Sequence, residues 1–196
     1  MSGKATKPRL ILASASPRRH ELLQQLGVEF EIIAADIDEE PTAGEQPGEY
    51  VLRMAREKAL EVLHREKRGL PVLGSDTAVI LDGAILGKPV DRTDAIRMLE
   101  MLSGRTHEVF SAVVVASGGN EVLEMLNITR VTFADLDTAW IEDYCDTGDP
   151  MDKAGAYGVQ NKAGEKISRI EGSFYGVMGL PLYETAELLK RAEVIF

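Results

Sequence analysis

One segment near the amino terminus sets the architecture of the chain: Arg9-Leu10-Ile11-Leu12-Ala13-Ser14-Ala15-Ser16-Pro17-Arg18-Arg19. Its apolar first part, Arg9 to Ala13, is typical of a buried strand. Ser16-Pro17 predicts a helix start, because serine is a favoured N-cap and proline a favoured first helical residue. That helix would bury Leu22, Leu23 and Leu26 and end at Gly27. A strand that turns tightly into a helix is the first unit of an α/β protein.

The rest of the chain predicts alternating helices and strands with antiparallel additions. Helices are expected over about Glu49–Arg65, Thr93–Leu102, Thr138–Tyr144 and Pro181–Arg191. Single strands are expected at Val72–Ser75 and Ile167–Ile170, and a loop runs from Asp149 to Gln160. Two hairpins complete the pattern: Thr77–Leu81 with Ala84–Leu86 around Asp82-Gly83, and Val109–Ala116 with Val122–Phe133 around Ser117-Gly118-Gly119-Asn120. The predicted fold class is therefore α/β, with a mixed sheet and flanking helices.

Length, composition and charge limit the possible functions. A chain of 196 residues with 44% hydrophobic residues can bury the core of one domain over residues 1–196, or of two lobes that share a cleft. Residues 1–8 are predicted to be a flexible polar tail. The formal charge of -10, from 22 basic and 32 acidic side chains, argues against nucleic acid as a ligand. A nucleotide remains possible, because it needs only a local basic pocket and a divalent cation.

Cysteine and histidine content bears on compartment and metal. The single cysteine, Cys145, excludes an intramolecular disulfide, and the sequence contains neither a signal-like segment nor an apolar run long enough to span a membrane. We therefore expect a cytoplasmic protein without a membrane partner. His20, His64 and His107 lack metal-ligand spacing, so any bound metal is expected to be a hard ion held by oxygen.

The turn from Ser14 to Arg19 has the properties of an anion site. Free backbone N–H groups and the positive end of the helix dipole converge there. Arg18 and Arg19 oppose that dipole, and a bound phosphate would compensate both. The alternative is that both arginines point to solvent or pair with Glu21.

Lys58 falls on the apolar stripe of the second predicted helix, with Val51, Ala55 and Val62. A lysine in that position either extends its ammonium past the apolar surface into water or meets an anion. The residues near it in sequence do not decide between these two interpretations.

Three further segments carry charged or small residues. Asp76 follows an apolar strand, where it could hold a metal or activate water, or cap its own turn. Lys88 either supplies a further cation to the site or is a solvated lysine of a turn. Residues Asp36 to Glu40 form either a solvated acidic loop or a metal site. Residues Asp152 to Gln160 form a loop of small residues that would allow close approach to a ligand, although it matches neither the P-loop nor the Rossmann motif.

Several segments, in this order and spacing, resemble the Maf family over nearly the whole chain. The amino-terminal half contributes Leu12–Arg19, Ala55-Arg56-Glu57-Lys58-Ala59, Leu73-Gly74-Ser75-Asp76-Thr77 and Gly87-Lys88-Pro89. The carboxyl-terminal half contributes Leu102–His107, Asp152–Gln160, Gly172-Ser173 and Val177-Met178-Gly179-Leu180-Pro181. The resemblance implies a fold similar to the inosine triphosphate pyrophosphatases, with a central cleft. It also implies hydrolysis of a nucleoside triphosphate to the monophosphate and pyrophosphate, a divalent metal (Mg²⁺, Mn²⁺ or Co²⁺), and a homodimer as one possible assembly.

The resemblance also implies roles for individual residues. Asp76 corresponds to the catalytic acidic residue, described in the family as a proton acceptor, and Glu39 to a second acidic residue of the metal site. The sequence leaves open whether Asp76 takes the proton or only holds the metal. Contacts to phosphate are implied for Ser14, Arg19, Lys58 and Lys88.

Substrate preference is implied by three positions, Arg18, Thr77 and Gln160, which resemble the branch of the family that acts on dTTP and UTP. The chain departs from the family's pattern after Gln160, where Asn161–Lys166 replaces a more glycine-rich run. A competing prediction is a nucleotide-binding regulator of septum formation with little catalysis. Such a protein would keep the basic cleft without needing Asp76.

Overall fold

The computed structural model describes residues 9–118 and 121–194. The predicted tail, residues 1–8, and Gly119-Asn120 of the predicted second hairpin turn lie outside these ranges. The described residues form a seven-stranded mixed sheet of order β2-β1-β3-β5-β6-β7, with β4 paired to β3. Its strands are β1 Leu10–Leu12, β2 Phe30–Ile32, β3 Val72–Leu81, β4 Ala84–Leu86, β5 Thr106–Ser117, β6 Glu121–Phe133 and β7 Ile167–Glu171.

Helices cover both faces of this sheet, which confirms the predicted α/β class. They are α1 Pro17–Gln25, α2 Pro47–Arg65, α3 Arg92–Leu102, α4 Thr138–Asp146, α5 Phe174–Met178 and α6 Leu182–Arg191. Strand β2 and helix α5 were not predicted; α5, with five residues, is too short to show a helical period. The predicted loop from Asp149 to Gln160 contains short 3₁₀ turns, at Asp149–Asp152 and Ala154–Ala156.

Strand β3 differs most from its prediction. The sequence predicted a strand ending at Ser75 and a separate hairpin arm from Thr77, but Val72–Leu81 is one strand, so Asp76 lies in its middle rather than after its end. Gly74 interrupts the apolar pattern because helix α2 passes very close to it. A Cβ at Gly74 would lie 2.2 Å from the Ala55 carbonyl oxygen.

A gap along one edge of β3 positions the functional residues. On that edge β1 pairs in parallel with Val72 and Leu73, and β4 pairs with Val79 to Leu81. On its other edge β3 pairs continuously with β5 from Val72 to Ile80. Residues 74–78 therefore face the gap between the end of β1 and β4, and the turn after β1 lies beside them.

Alternate residues of β3 face different cores. Val72, Ala78 and Ile80 pack against α2, together with Ile11 and Val114. On the opposite face, Leu73 joins a cluster with α1 and α6, whereas Val79 and Leu81 join another with α3 and α4. The polar side chains of Ser75, Thr77 and Ser111 separate the last two clusters. None of the helices in residues 9–118 and 121–194 combines the length and apolar character of a membrane span.

Candidate active site

One cleft of about 720 Å³ opens over the gap in β3. The structure brings every residue that the sequence singled out to the wall of this cleft. They are Ser14, Arg18, Arg19, Glu39, Lys58, Asp76, Thr77, Lys88 and Gln160. The gap explains how side chains from both faces of the sheet reach one space, since neither β1 nor β4 covers residues 74–78.

Arg19 is fixed from the side of α1. Its Nε donates to the Gly179 carbonyl oxygen at 2.8 Å, and its Nη1 lies 3.3 Å from Ser14 Oγ. Ser14 Oγ also accepts from the Ser16 amide at 3.2 Å. Burial lowers the pKa of the Arg19 guanidinium, while the charges of Asp76 and Glu39 act in the opposite direction. The alternative that this arginine points to solvent or pairs with Glu21 is wrong.

Arg18 also turns into the cleft, where its Nη2 lies 3.7 Å from Asp152 Oδ2. This contact likewise replaces the alternative pairing with Glu21. The helix that carries both arginines has no acidic residue in its first turn, and its N-cap Ser16 makes no side-chain capping bond. The turn therefore presents cationic side chains and backbone N–H groups to the same space, as expected for an anion site.

Lys58 connects the acidic residues. Its Nζ lies 2.7 Å from Asp76 Oδ1 and 2.8 Å from Glu39 Oε1, and the residue is only 8% exposed. The alternative that its ammonium extends into water is therefore wrong. Asp76 is 7% exposed, and as a mid-strand residue it does not cap a turn. Helix α2 packs against β3, which holds the lysine over the strand.

Glu39 is the residue of the acidic loop that enters the cleft. Burial raises the pKa of its carboxyl, but the hydrogen bond and charge of Lys58 and the charges of Lys88 and Arg19 oppose this, and the pKa lies below its usual value. Glu39 is therefore ionised at neutral pH. Its backbone is fixed by Tyr50, whose hydroxyl donates to the Glu39 carbonyl oxygen at 2.9 Å.

Thr77, Lys88 and Gln160 differ in how firmly they are held. Thr77 Oγ1 lies 3.0 Å from Ser111 Oγ and 3.4 Å from Arg19 Nη2. Lys88 and Gln160 are exposed, and neither forms a hydrogen bond or ion pair with any of residues 9–118 and 121–194. Their polar groups are therefore available to a ligand.

Sequence reasoning missed three residues of this cleft. Burial and the charges of Asp76 and Glu39 raise the pKa of Tyr50 to about 12, so its hydroxyl stays a hydrogen-bond donor. Gly179 accepts bonds from Arg19 and Ser75 through its carbonyl oxygen, and its φ of 118° favours glycine. Lys153 is a lysine only 7% exposed. The sequence contained only an indirect signal for two of them. Gly179 and Lys153 lie in segments that resemble the Maf family, and no charge pattern singles out either residue.

Asp76 and Glu39 form an acidic pair that suits a divalent metal whose coordination the phosphate oxygens of the substrate would complete. Asp76 and Glu39 offer oxygen donors that converge on the position of one cation, Lys58 Nζ. Across residues 9–118 and 121–194, no group of three or more His, Cys, Asp or Glu side chains is arranged for a metal. Mg²⁺ is commonly held by one or two carboxylates with phosphate oxygens and waters, so this donor set suits it.

The fold and cleft together define an α/β protein in which cationic side chains and an acidic pair line one cleft, at a gap in a mixed sheet. Among solved structures, the chain resembles a HAM1 protein from Coxiella burnetii with a TM-score of 0.51, at 16% identity over 95% of this chain and 98% of the other. The family model for Maf-like proteins matches residues 9–192. The chain therefore belongs to the Maf family.

Relatives at higher identity cover nearly the whole chain. A protein of Bordetella avium, named dTTP/UTP pyrophosphatase, is 52% identical over 195 residues, which is 95% of this chain and 96% of that protein. A protein of Methylobacillus flagellatus with the same name is 53% identical over 188 residues, with 95% and 94% covered.

Proposed function

We propose that this chain hydrolyses nucleoside triphosphates between the α and β phosphates, with dTTP and UTP as preferred substrates. The observation that carries the proposal is the convergence of Arg18, Arg19, Lys58 and Lys88 beside an acidic pair in one cleft of a chain with net charge -10. The names of relatives about half identical to it support the same activity.

The cationic side chains would neutralise and orient the triphosphate. The turn after β1, Arg19, Lys58 and the exposed Lys88 all line the cleft that would hold it. Preorganised charges of this kind stabilise the charge that develops in phosphoryl transfer, and fixed orientation lowers the entropic part of the barrier. We assign Asp76 as the acceptor of the proton from the attacking water, because it is the more buried carboxylate.

Glu39 and Asp76 would hold a divalent cation, Mg²⁺, Mn²⁺ or Co²⁺. When bound, that ion would neutralise charge on the phosphate oxygens. Lys58 contributes by bringing the two carboxylates to one point, at 2.8 and 2.7 Å from its Nζ.

Gln160, Arg18 and Thr77 would select the base. The Gln160 amide is exposed in the cleft and has both a donor and an acceptor, so it can pair with the adjacent C=O and N–H of thymine or uracil. Cytosine presents an amino group and an unprotonated ring nitrogen instead. A mismatch that leaves a buried polar group unpaired costs about 1 to 3 kcal/mol, or roughly tenfold to a hundredfold in selectivity.

A nucleotide panel tests the proposal. Pyrophosphate release should be fastest with dTTP and UTP, slower with CTP, ATP and GTP, absent in EDTA, and restored by Mg²⁺, Mn²⁺ or Co²⁺. Full turnover in EDTA would refute the metal assignment. A panel led by CTP or 7-methyl-GTP would refute the base assignment. A chain that binds dTTP without releasing pyrophosphate would instead support the septum regulator.

Assembly and location are separate proposals. We propose a homodimer on the resemblance to the family alone; light scattering that gives a mass near 21.4 kDa would refute it. We propose a cytoplasmic location because the single cysteine is a buried, unpaired thiol, and fractionation of cells would test it.

A further inference from the structure

A buried lysine lies beneath the segment that carries Gln160. The Nζ of Lys153 donates to three acceptors: the Asp149 carbonyl oxygen at 2.5 Å, Asp149 Oδ1 at 3.0 Å and Asp152 Oδ1 at 2.6 Å. An ammonium group has three N–H donors, so all of them are used. A lysine that is only 7% exposed is tolerated because its charge is paired in this way.

One end of this cluster supports the segment around Gln160. A Cβ on Gly158 would lie 2.8 Å from Lys153 Cε, so the backbone rests directly on the lysine side chain. The Gly158 amide donates to Tyr144 Oη at 3.3 Å, and this hydroxyl donates to Asp149 Oδ2 at 2.5 Å. Asn161 Nδ2 donates to Asp149 Oδ1, also at 2.5 Å. Residues on both sides of Gln160 are thus anchored to the cluster.

The other end of the cluster reaches Arg18 of helix α1, which also lines the cleft. Asp152 places Oδ1 on Lys153 and Oδ2 3.7 Å from Arg18 Nη2. The side chain of Asp152 is 69% exposed, so without Lys153 it would be free to change rotamer. The chain of contacts Arg18–Asp152–Lys153–Asp149–Asn161 therefore connects Arg18 to the residue that follows Gln160, and these are two of the three residues that we propose to select the base.

We propose that Lys153 is a positioning residue for base selection, which fixes the distance between Arg18 and Gln160 across the cleft. This inference rests on the proposed function, because it concerns discrimination between the bases of its substrates. Lys153 itself has no N–H left for the substrate. Its effect is exerted through Asp152 on one side and through the Gly158–Asn161 backbone on the other.

The test measures binding rather than turnover. Calorimetry with the α,β-imido analogues of dTTP and dCTP in Mg²⁺ gives a ratio of dissociation constants for the wild-type chain. Lys153→Met keeps the length of the side chain and removes its charge, and should lower this selectivity at least fivefold. Lys190→Met makes the same change on an exposed lysine of α6 outside the cleft, and should leave the ratio unchanged.

A double-mutant cycle with Asp152→Asn separates positioning from a general loss of packing. Asp152 is exposed, so this variant folds even where Lys153→Met does not, and it should reduce selectivity at least threefold alone. In the double variant the losses should be less than multiplicative, because the two residues act through one chain of contacts.

Two results would overturn the inference: a wild-type ratio retained by Asp152→Asn or Lys153→Met, or a wild-type chain that binds both analogues equally. Pyrophosphate release from dTTP is measured in parallel. A chain that selects the thymidine analogue but releases no pyrophosphate refutes the proposed function, while the binding ratios still decide the role of Lys153.

Discussion

The role of Lys58 depends on its contacts with two residues far from it in sequence. An isolated buried ammonium is strongly destabilising, and Asp76 and Glu39 offset that cost by lying within hydrogen-bond distance of it. Removing the lysine would leave two carboxylates facing each other without the shared cation. The residue therefore brings the acidic pair together, and in the proposed mechanism it also presents positive charge to phosphate.

Lys58→Ala should cost about 2 to 4 kcal/mol of transition-state stabilisation, the range for losing one preorganised electrostatic group. Steady-state pyrophosphate release with dTTP would measure this as the ratio of kcat/KM. Lys190→Ala, on an exposed lysine paired with Glu187, is the matched control and should keep wild-type activity. A loss below roughly threefold in the Lys58 variant would show that its charge does not act on the substrate.

Gln160→Glu tests base reading by a single atom change. The carboxylate that replaces the amide has no N–H, so the donor half of the pairing with thymine or uracil is lost. We expect the preference for dTTP over CTP to fall by roughly tenfold or more, within the range for one unpaired buried polar group. Competition between the two nucleotides in one reaction measures the preference directly. An unchanged preference would assign the base contact to another residue.

At the scale of elements, the contact between α2 and β3 holds the ion pair of Lys58 and Asp76. Lys58 extends from the helix and Asp76 from the strand, and a close approach of the two backbones at Gly74 sets their separation. The gap in strand pairing beside Asp76 arises because β1 is only three residues long. A longer β1 would pair with β3 beyond Leu73 and close the cleft.

Gly74→Ala should therefore destabilise the chain and reduce activity together. The added methyl group would meet the Ala55 carbonyl oxygen at 2.2 Å and the Ala59 amide nitrogen at 2.9 Å, so α2 must move away from β3. We expect a loss of about 1 to 3 kcal/mol in the free energy of unfolding, as for other overpacked cores. Urea denaturation measures it. Gly118→Ala, where a Cβ has open space, should be tolerated, and equal stability of both variants would contradict the proposed close approach.

At the scale of the whole molecule, stability should fall in acid partly through His107. This residue is 2% exposed, its Nε2 lies 2.8 Å from Tyr157 Oη, and its Nδ1 has no partner among the described residues. Burial lowers its pKa to about 4 from the usual 6.5. The neutral ring therefore contributes stability above pH 6.5, and this contribution is lost as pH falls toward 4.

The wild-type chain should lose up to about 3 kcal/mol more than His107→Gln between pH 6.5 and pH 4, because glutamine does not titrate. Urea unfolding at several pH values measures the difference, and the carboxylates common to both chains cancel. His64→Gln removes an exposed histidine and should keep the wild-type pH dependence. Parallel curves for the wild-type and His107→Gln chains would show that His107 titrates normally when folded.

Periodicity and turn chemistry were sufficient for the α/β class, for the strand-turn-helix at the amino terminus and for the positions of most helices. The interactions that form helices and tight turns act between residues close in sequence, so local sequence patterns reveal these elements. The motifs also pointed to the residues that line the cleft, and the family match supports the same assignment of the chain as a whole. Local patterns failed at β3, where Gly74 and Asp76 break the apolar run for reasons that lie on α2 and at the cleft.

Contacts between distant segments were decided only by the tertiary structure. Whether Lys58 reaches water or a carboxylate depends on Asp76 and on Glu39, which different elements bring to it. Arg19 is fixed by Gly179, 160 positions away, and Arg18 by Asp152. Burial and charge pairing are properties of the packed chain. The sequence by itself therefore determined which residue types were available, and the packing of α2 and the gap beside β3 determined what those residues can do.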